Sequence, residues 1–183
     1  MEWILGLIIA VLLAGLILIY NRLVKKRNRV ATAWSDIDVQ LSRRHDLVPN
    51  LVDVVRAYAG HERQTLERVT ELRSAALATD SPARLGSIEN ELEQLLGRLM
   101  ILKEDYPDLK ASDNFARLSE QLVEVEDHLQ YARRFYNGAV RDLNTLVQQF
   151  PDVLVARLFG FTSAEFYRAD EPHRSAARVE LDS

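Results

Sequence analysis

The chain reads as all-α: a single N-terminal transmembrane helix followed by an elongated antiparallel helical bundle of the four-helix type. Three observations carry that expectation. Residues Trp3 to Tyr20, WILGLIIAVLLAGLILIY, hold no charge, and Arg22, Lys25, Lys26, Arg27 and Arg29 follow at once. Beyond Tyr20 only five glycines and five prolines punctuate the chain, which leaves long uninterrupted segments. Within those segments apolar residues recur at alternating steps of three and four, the spacing of a helix that buries one stripe.

The apolar run rises about 27 Å as a helix, close to the ~30 Å hydrocarbon core of a bilayer. A cleaved signal peptide has its positive charge before a shorter apolar stretch. Here Glu2 precedes the run and the basic cluster follows it. Trp3 and Tyr20 bracket it, where amphipathic rings favour the headgroup level. Residues 1–21 are thus expected to form the anchor and 22–29 a membrane-proximal basic collar. Positive charge beside a span is normally held on the cytoplasmic side. The expected location is the bacterial inner membrane, N-terminus outside and everything after Arg22 in the cytoplasm.

Five of the 23 Lys and Arg lie in the collar, and one of the 27 Asp and Glu precedes the span. The stretch 30–183 therefore holds 18 basic and 26 acidic side chains, a formal charge of −8 with His neutral. Such a body lacks the concentrated cations that nucleic-acid binding requires. There is no cysteine, which excludes disulfides, thiolate metal sites and a cysteine nucleophile.

Taken in order, a first helix leaves the membrane without a breaker and places Val30, Trp34, Ile37 and Leu41 on one seam. Asp46-Leu47-Val48-Pro49 is ambiguous. Asp46 could cap a new helix with Pro49 in its first turn, which permits a reversal. The seam nevertheless continues in phase through Val48, Leu51, Val55 and Tyr58, as in a kinked rod. A break is the favoured expectation, with the following helix ending near Thr79. A third helix is expected over about Ser87–Asp105, stopped by Tyr106-Pro107. Ser112 or Asp113 then caps the longest segment, whose seam is Phe115, Leu118, Leu122, Val125, Leu129, Ala132, Tyr136, Leu143, Val147 and Phe150. Pro151 ends it. Asp152–Phe159 reads as a short helix closed by Gly160. The bundle is expected to occupy 30–167, with 168–183 a polar, flexible tail.

Catalytic and metal patterns are missing. His61-Glu62 opens an H-E-x-x-H pattern, but Thr65 stands where the second histidine belongs. A di-iron bundle needs paired E-x-x-H, yet Val125, Tyr58 and Ser42 stand three before His128, His61 and His45. Asp170 does precede His173, but Pro172 lies between them. No phosphate-binding glycine loop or nucleophile elbow occurs. The sequence therefore predicts no enzyme, no cofactor and no metal.

Three constellations remain as candidates. Gly6, Ala10 and Ala14 share one face of the span and would allow close packing of a second transmembrane helix. Arg43, Arg44 and Asp46 place charge across the seam. Arg44 holds a seam position, so it pairs internally or meets a partner, with a surface or turn location favoured. Arg133 and Arg134 stand beside Phe135 and Tyr136, residue types common at interfaces. Arg43, Arg44, Asp46, Arg133 and Arg134 form the candidate interaction surface.

Several stretches together resemble the LemA family of bacterial membrane proteins. They include Tyr20-Asn21-x-Leu23-Val24, Ala33-Trp34-Ser35-x-Ile37-Asp38-Val39-Gln40-Leu41, and Arg43-Arg44-x-Asp46-Leu47-Val48-Pro49-Asn50-Leu51-Val52. Glu89-Asn90, Tyr106-Pro107-x-Leu109-Lys110-Ala111, Ala132-Arg133-Arg134-x-Tyr136-Asn137, Phe150-Pro151 and Gly160-Phe161 follow in order. The resemblance implies a single span, an outside N-terminus and a helical cytoplasmic bundle. It supplies no catalytic residue. Its members often accompany membrane proteases of the HtpX type or TPM-domain proteins. This implies an accessory role in envelope maintenance with a membrane-protein partner; the residues themselves also offer a homo-oligomeric ring or array, built through the Gly6, Ala10 and Ala14 face and the long seams.

Overall fold

The computed structural model describes residues 1–167; the expected tail lies outside them. Among these residues there is helix and no strand. Helix α1 runs from Glu2 to Tyr58, 57 residues or about 85 Å. Helices α2 (Arg63–Leu77), α3 (Pro82–Ile101), α4 (Pro107–Lys110), α5 (Asp113–Gln148) and α6 (Asp152–Leu158) follow, with a 3-10 turn at Leu102–Glu104.

The favoured break at Asp46–Pro49 is overturned: α1 passes through Pro49 and ends only at Tyr58. Proline removes the N–H that would bond the carbonyl four residues back, and an orphaned buried carbonyl is costly. That carbonyl belongs to His45. The Arg73 side chain of α2 donates from Nε to it at 2.7 Å. A guanidinium from a neighbouring helix replaces the missing backbone donor, so the rod continues. The break falls instead at residues 59–62, around Gly60.

The other boundaries follow from local chemistry. Ser81 caps α3, its hydroxyl accepting from Arg84 N, with Pro82 at the first helical position. The cap sets the start ahead of the expected Ser87. Ser112 caps α5 in the same way, accepting from Phe115 N. Gly160, at φ 71, closes the turn after α6 in the left-handed region that glycine tolerates.

Helix α5 runs antiparallel to α1: Lys26 meets Asp142 at one end and Arg43 meets Glu124 further along. The α2–α3 hairpin covers the half of α1 far from its apolar N-terminal stretch. Three apolar clusters follow one another along the rod. The distal one joins Val48, Leu51 and Val55 to Leu92, Leu99, Phe115 and Leu122. The middle one joins Ala33, Ile37 and Leu41 to Leu85, Leu129 and Tyr136. The third, beside the apolar N-terminal stretch and therefore membrane-proximal if that stretch spans a bilayer, joins Leu23 to Leu143, Val147, Val155 and Ala156. Of the expected seam members, Val30, Trp34 and Ala132 are half-buried, and Tyr58 and Phe150 are exposed, the latter at 75%.

Arg73→Met should lower stability by about 1.5–3 kcal/mol, the worth of a hydrogen bond to a charged donor. The loss should shrink when Pro49→Ala restores the backbone donor. Thermal melting of the four proteins in detergent, followed by circular dichroism, measures that coupling; additive losses would contradict it.

Candidate functional site

Between the distal and middle apolar clusters lies a layer of charge. The flanking core residues are one heptad apart on each of three helices. They are Leu41 and Val48 on α1, Leu85 and Leu92 on α3, and Leu122 and Leu129 on α5. Arg44 and His45, Glu89, and Glu126 fall inside those intervals. The periodicity that buries the leucines therefore buries the charges as well.

Glu89 is the centre, at 0% exposure. Arg44, 2% exposed, donates from Nη1 to Glu89 Oε2 at 3.0 Å. Glu89 Oε1 lies 2.6 Å from His45 Nε2. An ionised carboxylate only accepts, so His45 carries its proton on Nε2 there. Arg44 also meets Glu126. Arg133 bridges Glu93 at 3.1 Å and Glu126 at 3.6 Å. Its guanidinium sits 5.4 Å from the ring centroid of Tyr167.

Burial pushes the Glu89 carboxyl upward, but the His45 hydrogen bond and the Arg44 charge more than offset it, and its pKa falls below the ordinary 4.5. Burial likewise lowers Arg44, with Glu89 opposing; an arginine stays protonated throughout. Burial drives the Tyr167 phenol up to about 12, with Arg133 working the other way.

Residues 161–167 return along α5 and close this layer. Asn144 donates to Ala164 O and accepts from Ala164 N, at 3.0 and 2.8 Å. Asn137 treats Tyr167 in the same manner, at 3.0 Å each way. The helical step from Asn137 to Asn144 rises about 10.5 Å and the extended step from Ala164 to Tyr167 about 10 Å, so the two amides match the strap's backbone. Tyr136 Oη donates to Glu165 O at 2.8 Å.

The sequence candidates divide. Arg44 and Arg133 are turned inward and serve the buried layer, which overturns the favoured surface or turn location for Arg44. Arg43, Asp46 and Arg134 are exposed, with Arg43 3.2 Å from Glu124 and Arg134 over the Tyr131 ring. The structure does not bring the five into one surface. Gly6, Ala10 and Ala14 face outward along the span, and Gly6 has open space where a Cβ would stand. In the collar, Arg22 pairs with Asp152, and Lys26 and Arg29 meet Asp142. Arg27 stacks over Phe161, while Lys25 is exposed. Glu89, Glu93 and Glu126 were missed as site residues. The visible signal was a lone Glu in register with the α3 leucines.

The layer joins two guanidiniums, Arg44 and Arg133, to three carboxylates, Glu89, Glu93 and Glu126, between leucine layers, and Arg133 Nε and Nη2 are buried without a hydrogen-bond partner. Among the described residues no group of three His, Cys, Asp or Glu is placed to hold a metal. The N-terminal stretch of α1 forms an apolar helix long enough to cross a bilayer, none of it buried within the protein. Fold and site define a membrane-associated helical protein with one candidate span. A family model described as the LemA family matches residues 33–181, and the chain belongs to that family. Protein LemA of Metamycoplasma hominis is 28% identical over 167 residues, covering 89% of this chain and 73% of its own. Magnetosome protein MamQ 2 of Paramagnetospirillum magneticum is 25% identical over 185 residues, covering 85% and 67%. Magnetosome protein MamQ of Magnetospirillum gryphiswaldense is 23% identical over 178 residues, covering 83% and 65%. None of these names denotes an enzyme.

The depressed Glu89 pKa sets the sign of an acid effect. Its contribution is fully present above the unfolded value near 4.5 and is lost as pH falls from there through the lower folded value. Glu89→Gln should therefore melt lower than the parent at pH 7 and show a flatter decline below about pH 4.5. Glu89→Ala, which leaves buried Arg44 with Glu126 alone and His45 without its partner, should cost about 3–5 kcal/mol. Melting curves from pH 3 to 7 measure both; parallel acid limbs would refute the role of Glu89.

Proposed function

We propose that the chain is a non-enzymatic, membrane-anchored scaffold or adaptor. It would fix a rigid helical bundle at the bacterial inner membrane and present it to another membrane protein, in an accessory role in envelope maintenance or a membrane protease system. The carrying observation is that α1 is at once the candidate span and the longest element of the bundle. No linker intervenes, so the bundle's faces keep a fixed relation to the anchor. The buried ion pairs of Arg44 with Glu89 and of Arg133 with Glu93 support the same view, because they tie α1 and α5 to α3. Family membership adds the association with HtpX-type proteases and TPM-domain proteins noted above. Relatives named as a LemA protein and as magnetosome proteins are compatible with one architecture serving different settings.

The proposed topology is N-terminus outside and bundle cytoplasmic, from the collar that follows the span. The cysteine-free chain makes this simple to check. Lys110→Cys, at the far end of the bundle, should resist an impermeant maleimide in intact cells and react after lysis. Labelling in intact cells would invert the topology.

A homo-oligomeric ring or array is the second reading, favoured by the outward Gly6, Ala10 and Ala14. Crosslinking in intact cells with mass spectrometry separates the two. The adaptor predicts a different membrane protein; the array predicts only copies of this chain, and then Gly6→Leu with Ala10→Leu should reduce the particle size on native gels. A chain crosslinked to nothing would dispose of both.

A further inference from the structure

Helix α6 carries apolar residues on its inner and on its outer side. Its inner side, Val155 and Ala156, packs into the membrane-proximal cluster with Leu23, and Leu16 and Ile19 of the span lie against that cluster. Its outer side carries Leu154 and Leu158, one turn apart and 59% and 69% exposed. Phe150 in the preceding turn and Phe159 just after the helix are exposed too. Leucines exposed one turn apart, flanked by exposed phenylalanines, are not suited to water on that side. An exposed cluster of this kind marks a contact surface.

The occupant follows from position. Leu16 and Ile19 belong to the uncharged run Trp3–Tyr20, so the body of α6 lies beside the end of the span. The Phe159 ring stands 4.9 Å and the Phe161 ring 5.7 Å from Tyr20, the last residue of that run. Aromatic rings at this level form the belt typical of a bilayer interface. Cations lie at the same level: Arg27 over Phe161, exposed Arg157 on α6 itself, and Arg22. The one acidic residue of α6, Asp152, is buried and paired with Arg22, so it offers no charge to lipid phosphate. An amphipathic element with leucine and phenylalanine outward and basic residues at its margin suits the headgroup–acyl boundary.

The geometry points to a second membrane contact: α6 and its flanking phenylalanines dip into the bilayer surface beside the span, through Phe150, Leu154, Leu158 and Phe159. It rests on Trp3–Tyr20 crossing the bilayer and extends that anchoring to an element that follows α5 in the chain. The lipid surface, rather than a protein, is the occupant.

Single cysteines test it in the full-length chain, reconstituted into phosphatidylcholine–phosphatidylglycerol vesicles and labelled with an environment-sensitive fluorophore. Leu154→Cys and Leu158→Cys report the contact, Leu12→Cys the span, and Ile101→Cys a site far along the bundle. Lipids with a nitroxide high on the acyl chain should quench the labels at 154 and 158 about threefold more than the label at 101, with iodide showing the reverse order. Equal lipid quenching at 154, 158 and 101, with the label at 12 quenched by a nitroxide near the chain end, would overturn the contact while leaving the span intact. Loss of quenching at 12 as well would overturn both. Shielding from iodide without lipid quenching would identify a protein occupant and also refute the proposal.

Discussion

Everything in the bundle is arranged around one buried carboxylate. Glu89 has no access to water, and an ionised group in that position survives only where cations and donors replace its hydration. Arg44 and His45 supply them from α1. The consequence is positional. Leucines repeating by heptads can slide past one another by one repeat and still bury apolar surface. A carboxylate cannot slide, because any other register leaves it opposite leucine. Replacing such a layer by apolar residues need not lower stability. Mispairing it does, and the cost falls on every wrong alignment of α1, α3 and α5 at once. The strap at 161–167 extends the same logic to the chain's return, since Tyr167 reaches the layer only when Asn137 and Asn144 each hold their own backbone partner.

The second constraint is continuity. A helix that crosses the Pro49 position unbroken carries orientation from the span to the distal end of the bundle. Arg73 makes this work by bonding the carbonyl that the proline abandons. The donor comes from α2, so the continuity of α1 depends on the hairpin being docked. Rod and hairpin are mutually supporting, and the charged layer lies one turn before the proline on the same helix.

These two features also mark what could be read from the residues and what could not. The α5 seam was legible because its signal is local: Phe115, Leu118, Leu122, Val125 and Leu129 repeat at helical spacing, and all are buried. The long apolar N-terminal helix was legible for the same reason. Pro49 misled because the local rule against an internal proline is sound and the exception lay on another helix, in Arg73. Arg44 was seen to occupy a seam position, but its partner Glu89 stands two helices further on, and nothing nearby chose between an internal ion pair and a surface. The apolar spacing from Ile88 onward does not reveal the first turn of α3, whose start is set by the Ser81-Pro82 cap. Glu89, Glu93 and Glu126 resemble ordinary surface glutamates until the helices come together. The sequence placed Asp152–Phe159 in a short helix, yet not the relation of its outer leucines to Tyr20.

A single span constrains a protein poorly. It fixes depth but leaves rotation about the helix axis free, and tilt is set by whatever else touches the bilayer. A rod projecting from such a span would sweep its faces through all directions, which suits a tether better than a scaffold. An off-axis contact changes this. With α6 seated in the interface beside the span, rotation would pull Leu154 and Leu158 from lipid into water, and burial of a leucine side chain is worth about 1.5–3 kcal/mol. Two such residues outweigh thermal energy several times over. The collar works to the same end, because Arg22 and Lys26 are tied to Asp152 and Asp142 and so join α6 and the end of α5 to the rod. Its charges serve as much to brace the bundle's base as to face phosphate. The rigidity built into the distal half by Glu89 and Arg73 has use only if the proximal end is held in a defined attitude, and the chain's return to the membrane at α6 is the element placed to hold it.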